Sequence, residues 1–325
     1  MRWGEKRYYS LDYYLKSTYG EKLYKLALDG GMSCPNRDGT LDTKGCIFCS
    51  AGGSGDFASD RTLSITEQIE TGKSLVSSKH TGTGYIAYFQ ANTNTYAPVS
   101  YLRKIFTEAI EHPDVRIISI ATRPDCLESE VIELLKELNQ LKPVWVELGL
   151  QSIHKKSAHF IRRGYELSVF EKAVKALRDA GIEVIVHTIL GLPGESSEDM
   201  YQTIEYLNNQ DIQGIKLQLL HILKGTDLYS VYKTSPFWVP TLEEYLALLG
   251  NCISRLRPDI VIHRITGDGP KSLLVAPLWT GNKRLVLNSI QSYLKCQDIW
   301  QGRSYTDGRT IDTVQTYRTL HDEKS

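Results

Sequence analysis

Short apolar runs alternate with amphipathic helical stretches from about residue 24 to residue 223, and this alternation constrains the fold more than any other feature of the sequence. Runs that are apolar almost throughout are typical of strands buried on both faces of a parallel sheet. The pattern predicts six such strands, at residues 23–28, 85–90, 116–121, 144–149, 183–190 and 215–222. We therefore expect an α/β protein built from repeated βα units.

Helix start and stop signals lie between these strands. Ser64 and Ser168 each stand three residues before a glutamate, a spacing that predicts a capping box at two helix N-termini. Pro98 is typical of a helix start, and Gly181 is typical of a helix end. Strands and helices that alternate in this way form right-handed βαβ units.

Six βα units fit either a doubly wound sheet or a barrel. No GxGxxG fingerprint follows the first strand, which weakens the dinucleotide-binding alternative, and a complete barrel needs two more units than the sequence provides. The prediction is a partial, TIM-like (βα)6 barrel. In either architecture the functional groups lie at the C-terminal ends of the strands.

The pattern changes on both sides of these units. The predicted organisation is an N-terminal helical segment at residues 1–22, the core at residues 23–225 and a C-terminal α/β extension at residues 226–325. Within the extension we expect a helix capped by Thr241, a strand near residues 260–265 and a final helix near residues 285–296.

Charge and composition limit where in the cell the protein is expected and which partners it can bind. The 38 basic and 38 acidic side chains give a formal net charge of zero, so an anionic partner needs a local basic patch. No run approaches the roughly 18 apolar residues of a membrane span. Residues 1–9 carry charge without the apolar stretch of a signal peptide. We therefore expect a cytoplasmic protein that does not enter a membrane and whose cysteines are reduced.

The loop after the first predicted strand carries three cysteines, Cys34, Cys46 and Cys49. Glycines and turn-forming residues fill this loop, as suits a segment wrapped around an ion or a cluster. A structural zinc site needs four ligands, and the nearest downstream histidine is His80. A four-iron cluster held by three thiolates leaves one iron open. The spacing favours iron–sulfur over zinc, and inert buried thiols are the third alternative.

This loop, with Phe48 directly before its last cysteine, resembles that of the radical S-adenosylmethionine (SAM) superfamily. Three predicted strand ends are similar to those of the elongator catalytic subunit and of oxygen-independent coproporphyrinogen oxidase, namely IATRPD at 120–125, ELGLQS at 147–152 and HTILGLPGE at 187–195. Two further segments most resemble the YhcC/YtqA-type proteins, namely FQANTNT at 89–95 and HRITGDGP at 263–270. The superfamily resemblance covers about residues 20–225.

The resemblance implies a partial barrel that holds a 4Fe-4S cluster through the three cysteines. It also implies SAM as cofactor, cleaved to a 5′-deoxyadenosyl radical, and an electron donor such as flavodoxin or ferredoxin. The residues that would contact the cofactor come from several strand ends: Phe48, Gln90, Asn92, Thr93, Gln151, Arg163, His187, Gly191 and Leu192.

Some of these positions depart from the family pattern. The glycine-rich motif that usually meets the methionyl amino group is replaced by polar side chains, which also suit an ordinary loop: Gln90, Asn92, Thr93 and Asn94. Gln151 and Arg163 keep the spacing of two cofactor contacts in coproporphyrinogen-type relatives, in which the guanidinium would bind the carboxylate. A solvated helix end is the alternative for Arg163.

Other candidates are single residues near the strand ends. His187 stands where those relatives have a ribose-binding aspartate, and a core histidine is the alternative. Glu147 is expected to point into the barrel and to need a partner, for which Arg123 is the candidate. Cys126 is a candidate for a residue that faces the substrate, and a packing role is the favoured alternative. The remaining two cysteines are expected in the core, Cys252 and Cys296.

The resemblance also suggests a substrate. The elongator branch modifies the wobble uridine of tRNA, but this chain is too short to include that family's acetyltransferase domain. The YhcC/YtqA-type subgroup is associated with conversion of 5-carboxymethylaminomethyl-2-thiouridine into 5-aminomethyl-2-thiouridine, which is the predicted reaction. A radical SAM enzyme for a small metabolite such as a tetrapyrrole, and a non-catalytic zinc-binding RNA module, are the alternatives.

A tRNA substrate needs cationic and aromatic side chains outside the barrel. Both ends of the sequence offer candidates: Arg2, Trp3, Lys6, Arg7, Tyr8, Tyr9, Lys283, Arg284, Lys295, Arg303 and Arg309. Acidic residues are interleaved with them, so ordinary surface charge is the alternative.

Overall fold

The computed structural model describes residues 3–53, 55–79, 82–267 and 269–306. The strands are, in chain order, β1 (Tyr24–Leu28), β2 (Tyr85–Phe89), β3 (Val115–Thr122), β4 (Val144–Gln151), β5 (Glu183–Leu190), β6 (Gly214–Leu219), β7 (Ile222–Leu223), β8 (Val261–Arg264) and β9 (Leu274–Ala276). β1 to β6 and then β8 form one parallel sheet, with β1 and β8 at its edges. This sheet curls into a half-barrel, which confirms the predicted partial barrel. β7 and β9 form a separate antiparallel pair.

Two differences from the predicted strands concern the end of the sheet. The last apolar run is divided, because β6 ends at Leu219 and the following residues turn into β7. The strand predicted within the C-terminal extension is β8, and it pairs with β6. The extension therefore completes the sheet rather than only packing against it. The domain boundaries stay predictions.

Ten α-helices surround the sheet in the described part of the chain: α1 (Leu11–Tyr19), α2 (Ile65–Val76), α3 (Val99–Glu111), α4 (Ser129–Asn139), α5 (Lys155–Phe160), α6 (Leu167–Asp179), α7 (Ser197–Leu207), α8 (Asp227–Thr234), α9 (Leu242–Arg255) and α10 (Lys283–Cys296). None of these described helices has the length and apolar character needed to cross a membrane. Pro98 directly precedes α3, and Gly181 (φ 75°) follows α6, as predicted.

The helix caps agree with the sequence in two cases and differ in a third. Ser64 and Thr241 complete capping boxes at α2 and α9. The capping box predicted at Ser168 is wrong, because α6 begins at Leu167 and Glu166 occupies the N-cap position, two residues earlier than predicted. Ser168 therefore lies inside the first turn, where its hydroxyl does not cap the helix.

Side chains that face the barrel interior form layers, because successive inward positions on a strand are two residues apart. The lowest layer, here called the apolar layer, consists of Ile86, Ile117, Trp145 and Ile185, with Leu15 of α1 packed against it. The layer above it is called the charged layer and consists of Lys25, Tyr88, Ser119, Glu147, His187 and Lys216. Tyr88, Glu147, His187 and Lys216 of the charged layer line the candidate site, together with the C-terminal ends of the strands above them.

Candidate cluster and cofactor site

The three cysteines lie on the long loop between β1 and α2, and Cys34, Cys46 and Cys49 line one cavity at the C-terminal end of the half-barrel. A tight turn joins two of them, since the Cys49 backbone N donates to the Cys46 carbonyl oxygen (3.0 Å). Asn36 fastens the loop to the segment after α5, because its Nδ2 donates to the Arg162 carbonyl oxygen (2.7 Å). The loop therefore presents all three thiols to the same space.

The thiols differ in their tendency to ionise. A hydrogen bond with Cys49 lowers the pKa of Cys46 to about 7 against the effect of burial, and the charge of Arg123 lowers it further. The same hydrogen bond and burial raise the pKa of Cys49 well above its usual value. Thiolates are the form that binds iron and zinc.

The donor set fits an iron–sulfur cluster. Among the described residues, no fourth cysteine lines the cavity of the three thiols. Three thiolates suit a cluster with one open iron better than a closed, four-ligand zinc site.

Left-handed backbone occurs at Asn92 (φ 58°) and Gln151 (φ 61°), both of which line the cavity, and at Arg162 (φ 57°) under the cysteine loop. Such conformations cost about 1–3 kcal/mol each and concentrate at functional sites. Asn92 holds the cysteine loop, because its backbone N donates to the Gly53 carbonyl oxygen (2.9 Å). Gly53 has a left-handed backbone (φ 55°), which favours glycine, and a Cβ there would also lie 2.0 Å from Asn92 Oδ1 and displace that amide.

Seven of the nine predicted cofactor residues line the cavity: Phe48, Gln90, Asn92, Thr93, Gln151, Arg163 and His187. The other two do not line it. Leu192 is buried in an apolar cluster with Ile47, next to Cys46, and the Gly191 backbone N donates to Met200 Sδ (3.1 Å). Contact of any of the nine with a cofactor stays a prediction.

Arg163 is almost fully buried, with 3% of its surface exposed, and most of its guanidinium is already engaged. Nη1 donates to the carbonyl oxygens of Leu150 (3.1 Å) and Ser152 (2.7 Å), and Nε donates to that of Tyr165 (3.0 Å). These bonds fix the side chain beside the cavity, so that Nη2 is the nitrogen with no hydrogen bond to a described residue.

Glu147 is the centre of the charged layer. It accepts hydrogen bonds from Lys25 Nζ (2.5 Å), Ser119 Oγ (2.8 Å) and His187 Nε2 (2.6 Å), and also from Lys216 Nζ. Burial opposes its ionisation, but the charges of Lys216 and Lys25 hold the pKa of Glu147 well below its usual value. Glu147 is therefore a carboxylate with no exposed side-chain surface.

His187 is neutral at pH 7, because burial and the charge of Lys216 lower its pKa to about 4. The ring nitrogen that faces the Glu147 carboxylate, Nε2, must carry the proton, since a carboxylate only accepts. Nδ1 is then an acceptor.

Arg123 was the predicted partner of Glu147, and this prediction is wrong. Its Nε and Nη2 donate to the two carboxylate oxygens of Asp125 (2.9 and 2.8 Å), which lies two residues away on the same turn. The curl of the sheet instead brings Lys25 and Lys216 from other strands to Glu147.

Cys126 does not line the cavity of the other three cysteines. It lines a separate cavity beside Thr95 and Tyr96, and burial raises the pKa of its thiol to about 12, so the thiol is protonated. Cys252 is buried in the core, as predicted. Cys296 was expected in the core but is exposed, because it is the last residue of α10.

Several residues at the site were assigned no role from the sequence, among them Lys25, Tyr88, Lys216 and Arg264. The two lysines could have been noticed in the sequence, because each is the single charged residue of its strand and stands at an inward position. Such a charge needs a buried partner.

A groove opens between the edge strands β1 and β8. Its lining includes five cationic side chains: Lys6, Lys22, Lys25, Arg264 and Lys283. Asp12 is the one acidic residue among its described lining residues, and it pairs with Lys16 (3.0 Å). We call this feature the lateral groove.

Three of the predicted RNA contacts line the lateral groove, namely Lys6, Tyr8 and Lys283. The others that are described lie elsewhere: Trp3 and Tyr9, which stack on each other, Arg7, which pairs with Asp298, Arg303, which lies over Trp300, and the exposed Arg284 and Lys295. Two candidates lie outside the described residues, Arg2 and Arg309.

Comparison with known proteins identifies the family. The sequence model of the Radical SAM superfamily matches residues 43–207, and that of the Radical_SAM C-terminal domain matches residues 212–296. A Bacillus subtilis protein described as uncharacterized protein YtqA is 44% identical over 301 residues, which are 93% of this chain and 94% of that protein.

Two further similarities concern the elongator branch. A tRNA uridine(34) acetyltransferase from Methanocaldococcus jannaschii is 30% identical over 198 residues, which are 59% of this chain but only 36% of that protein. The structure of archaeal Elp3 from Methanocaldococcus infernus, with an N-terminal deletion, has a TM-score of 0.65 and 18% sequence identity, and the match covers 86% of this chain and 64% of that chain. At this identity the second similarity shows the fold alone.

The predicted resemblance is thus confirmed at the level of sequence and fold. The chain belongs to the radical SAM superfamily, whose members use a 4Fe-4S cluster and S-adenosylmethionine.

Proposed function

We propose that this radical SAM enzyme acts on tRNA and converts the 5-carboxymethylaminomethyl side chain of a wobble 2-thiouridine into 5-aminomethyl. The carbon beside the carboxylate would lose a hydrogen atom to the deoxyadenosyl radical, one electron to the oxidised cluster and the N–H proton to water, which leaves an imine. Water then cleaves the C–N bond and releases the two-carbon unit as glyoxylate. The observation that carries the proposal is the cationic lateral groove, which shares Arg264 with the lining of the cysteine-lined cavity. The similarity to a protein named tRNA uridine(34) acetyltransferase supports tRNA as the substrate class.

The cluster and SAM, when bound, supply the one-electron cleavage that starts hydrogen-atom abstraction, with an electron from a reductant such as flavodoxin or ferredoxin. Cys34, Cys46 and Cys49 are the proposed cluster ligands. Arg163 is proposed to direct Nη2 to the cofactor carboxylate, since its other donors are held by backbone carbonyls. His187 is proposed to accept a hydrogen bond through Nδ1.

The proposed path of the RNA uses the lateral groove for the phosphate backbone. Lys6, Lys22 and Lys283 line the groove without lining the cavity, so they are suited to bind phosphates rather than the reacting base. A base turned out of the anticodon loop then enters the cavity, as in other enzymes that modify a nucleobase. Phe57, of which 55% is exposed at the adjoining cavity, offers a ring for stacking.

The direct test is turnover by enzyme that has been reconstituted without oxygen. We expect incubation with SAM, a reductant and tRNA carrying the carboxymethylaminomethyl group to yield 5-aminomethyl nucleoside, measured by mass spectrometry, together with 5′-deoxyadenosine. Replacing all three cluster cysteines with alanine removes both products. Cys296→Ala, at the exposed end of α10, is the matched control and retains both.

One result would reject tRNA as the substrate: formation of 5′-deoxyadenosine without any change in the tRNA nucleosides. Turnover of a small metabolite without RNA would then identify the other substrate class. The phosphate contacts are tested separately by a salt series, in which K6Q/K22Q/K283Q should weaken tRNA binding and flatten the dependence of log Kd on log salt concentration.

A further inference from the structure

Four positions of the sheet form one row across the barrel interior. Gly149 on β4 is in register with His187 on β5, His187 with Lys216 on β6, and Lys216 with Arg264 on β8. Three of them carry nitrogen-bearing side chains, and all four line the cysteine-lined cavity. The row therefore ends at the edge strand with Arg264, which lines both the cavity and the lateral groove.

The cations of this cavity differ in how their charge is balanced. Arg123 pairs with Asp125, and the charged-layer lysines pair with Glu147. Arg37 and Arg163 have no ion pair with a described residue, but both donate hydrogen bonds to backbone carbonyl oxygens. Among the described residues the Arg264 guanidinium has neither a hydrogen bond nor an ion pair. It is nevertheless near the charged layer, since its charge acts on Lys216.

Glu147 is the only carboxylate among the described residues that line this cavity. Lys25 and Lys216 both pair with Glu147, so its single negative charge is already balanced, and Arg264 adds a positive charge that no described side chain neutralises. Guanidinium does not lose its proton in proteins. A partly buried, unpaired cation is costly unless a ligand supplies the counter-charge.

We propose that Arg264 is the residue that recognises a carboxylate on the substrate, with Lys216 beside it in the row. This inference rests on the proposed function, in which the carboxymethylaminomethyl group ends in a carboxylate. The planar guanidinium binds a carboxylate through two parallel hydrogen bonds, and an amide of the same shape offers only one acceptor oxygen.

The position of Arg264 favours the substrate over the cofactor as the source of the carboxylate. Arg163 lies next to the cysteine loop, which is fastened to Arg162, and it is the proposed partner of the cofactor carboxylate. Arg264 lies at the sheet edge that borders the lateral groove, where the RNA is proposed to approach.

The test compares two anticodon stem-loops that differ in one group, a 5-carboxymethylaminomethyl uridine and its carboxamide. Binding to reconstituted enzyme with SAM is measured without reductant, so that no reaction occurs. We expect the wild type to bind the carboxylate about tenfold more tightly than the amide. Arg264→Gln should bind both equally, and Arg264→Lys should keep part of the preference, since lysine retains the charge but not the fork.

Two controls separate this role from others. Lys22→Gln removes a cation that lines only the groove, and it should weaken both stem-loops by the same factor. The affinity for SAM should be equal in wild type and Arg264→Gln. A carboxylate preference that survives in Arg264→Gln overturns the inference, as does a loss of SAM affinity, which would assign the guanidinium to the cofactor.

If the proposed tRNA function is wrong, the binding experiments give a different result from that expected if the carboxylate site is wrong. If the wild type binds neither stem-loop, the same comparison is made with N-benzylglycine and N-benzylglycinamide by saturation-transfer NMR. A preference for the carboxylate that Arg264→Gln abolishes supports the site and rejects the tRNA substrate. No carboxylate preference in the wild type with either pair overturns the site itself.

Discussion

The apolar and charged layers of the barrel interior lie on the same strands, two residues apart, yet they differ in almost every physical property. Trp145 and Glu147 on β4 are both 1% exposed, but Trp145 packs among isoleucines whereas Glu147 accepts hydrogen bonds from four side chains. The apolar layer gains stability by removing apolar surface from water. In the charged layer, the ion pairs and hydrogen bonds must offset the cost of removing charges from water.

This contrast indicates why the charged layer is present. A buried ion network that could be replaced by apolar side chains of similar volume contributes little net stability. Its place directly below the cysteine-lined cavity gives it another role, because it fixes the charge and hydrogen-bonding state of His187 and Lys216, which line that cavity. We therefore expect the apolar layer to set stability and the charged layer to set the chemistry of the cavity.

The largest expected effects come from removing the central residue of each layer. Trp145→Ala leaves a cavity in the apolar layer and should lower the free energy of unfolding by about 3–5 kcal/mol. Glu147→Gln leaves Lys25 and Lys216 without their anion and should lower it by a similar 3–5 kcal/mol or so. Chemical denaturation of the two variants measures both values.

The control for this pair replaces the whole ion network. K25M/E147L/K216M removes all three charges together, and its stability should match that of the wild type or exceed it by about 1–4 kcal/mol. Substrate turnover should nevertheless be lost. A strongly destabilised triple variant would contradict the view that the charged layer serves chemistry rather than stability.

The apolar layer could be predicted from the sequence, whereas the ion pairs of the charged layer could not. The apolar layer follows from local pattern, because isoleucine and tryptophan within apolar runs are what a buried strand requires. The partners of Glu147 could not be found in this way, since Lys25 is 122 residues and Lys216 is 69 residues away in the chain. Only the order and register of the strands bring them together, whereas Arg123 is close in sequence and pairs locally with Asp125.

The cysteine site also combines residues that can be found from nearby sequence with residues that only the fold brings together. Its three thiols occur on one loop, so sequence spacing was sufficient to bring them together at one cavity. Arg264 comes from β8, which the sequence did not assign to the sheet. Its contribution to the cavity became visible only when that strand was placed next to β6.

A smaller effect concerns the pH dependence of stability, which should differ between the layers. The pKa of His187 is about 4 in the folded protein and 6.5 when exposed, so the unfolded state binds the additional proton between these values. Stability is then fully present above pH 6.5 and is lost as pH falls toward 4. From pH 7.5 to pH 5 the loss assigned to His187 is about 2 kcal/mol.

His187→Gln removes this titration, so its stability should depend less steeply on pH than that of the wild type. The comparison variant is Ile185→Val, two residues earlier on β5 in the apolar layer, which should keep the wild-type slope. Urea denaturation at several pH values measures the difference. Equal slopes for wild type and His187→Gln would mean that the ring is not held neutral by burial beside Lys216 and Glu147.

The smallest expected effect comes from two substitutions on β3, one in each layer. They give the sharpest comparison, because each should lower stability by nearly the same amount. Ile117→Val removes one methyl group from the apolar layer, and Ser119→Ala removes one of the hydrogen bonds that Glu147 accepts (2.8 Å). Each should lower the free energy of unfolding by about 1 kcal/mol. With stability matched, only Ser119→Ala should reduce turnover, since it raises the pKa of Glu147 and weakens its hold on His187 and Lys216. Equal turnover in the two variants would show that the network tolerates the loss of a donor, and the role of the charged layer would then rest on its cations alone.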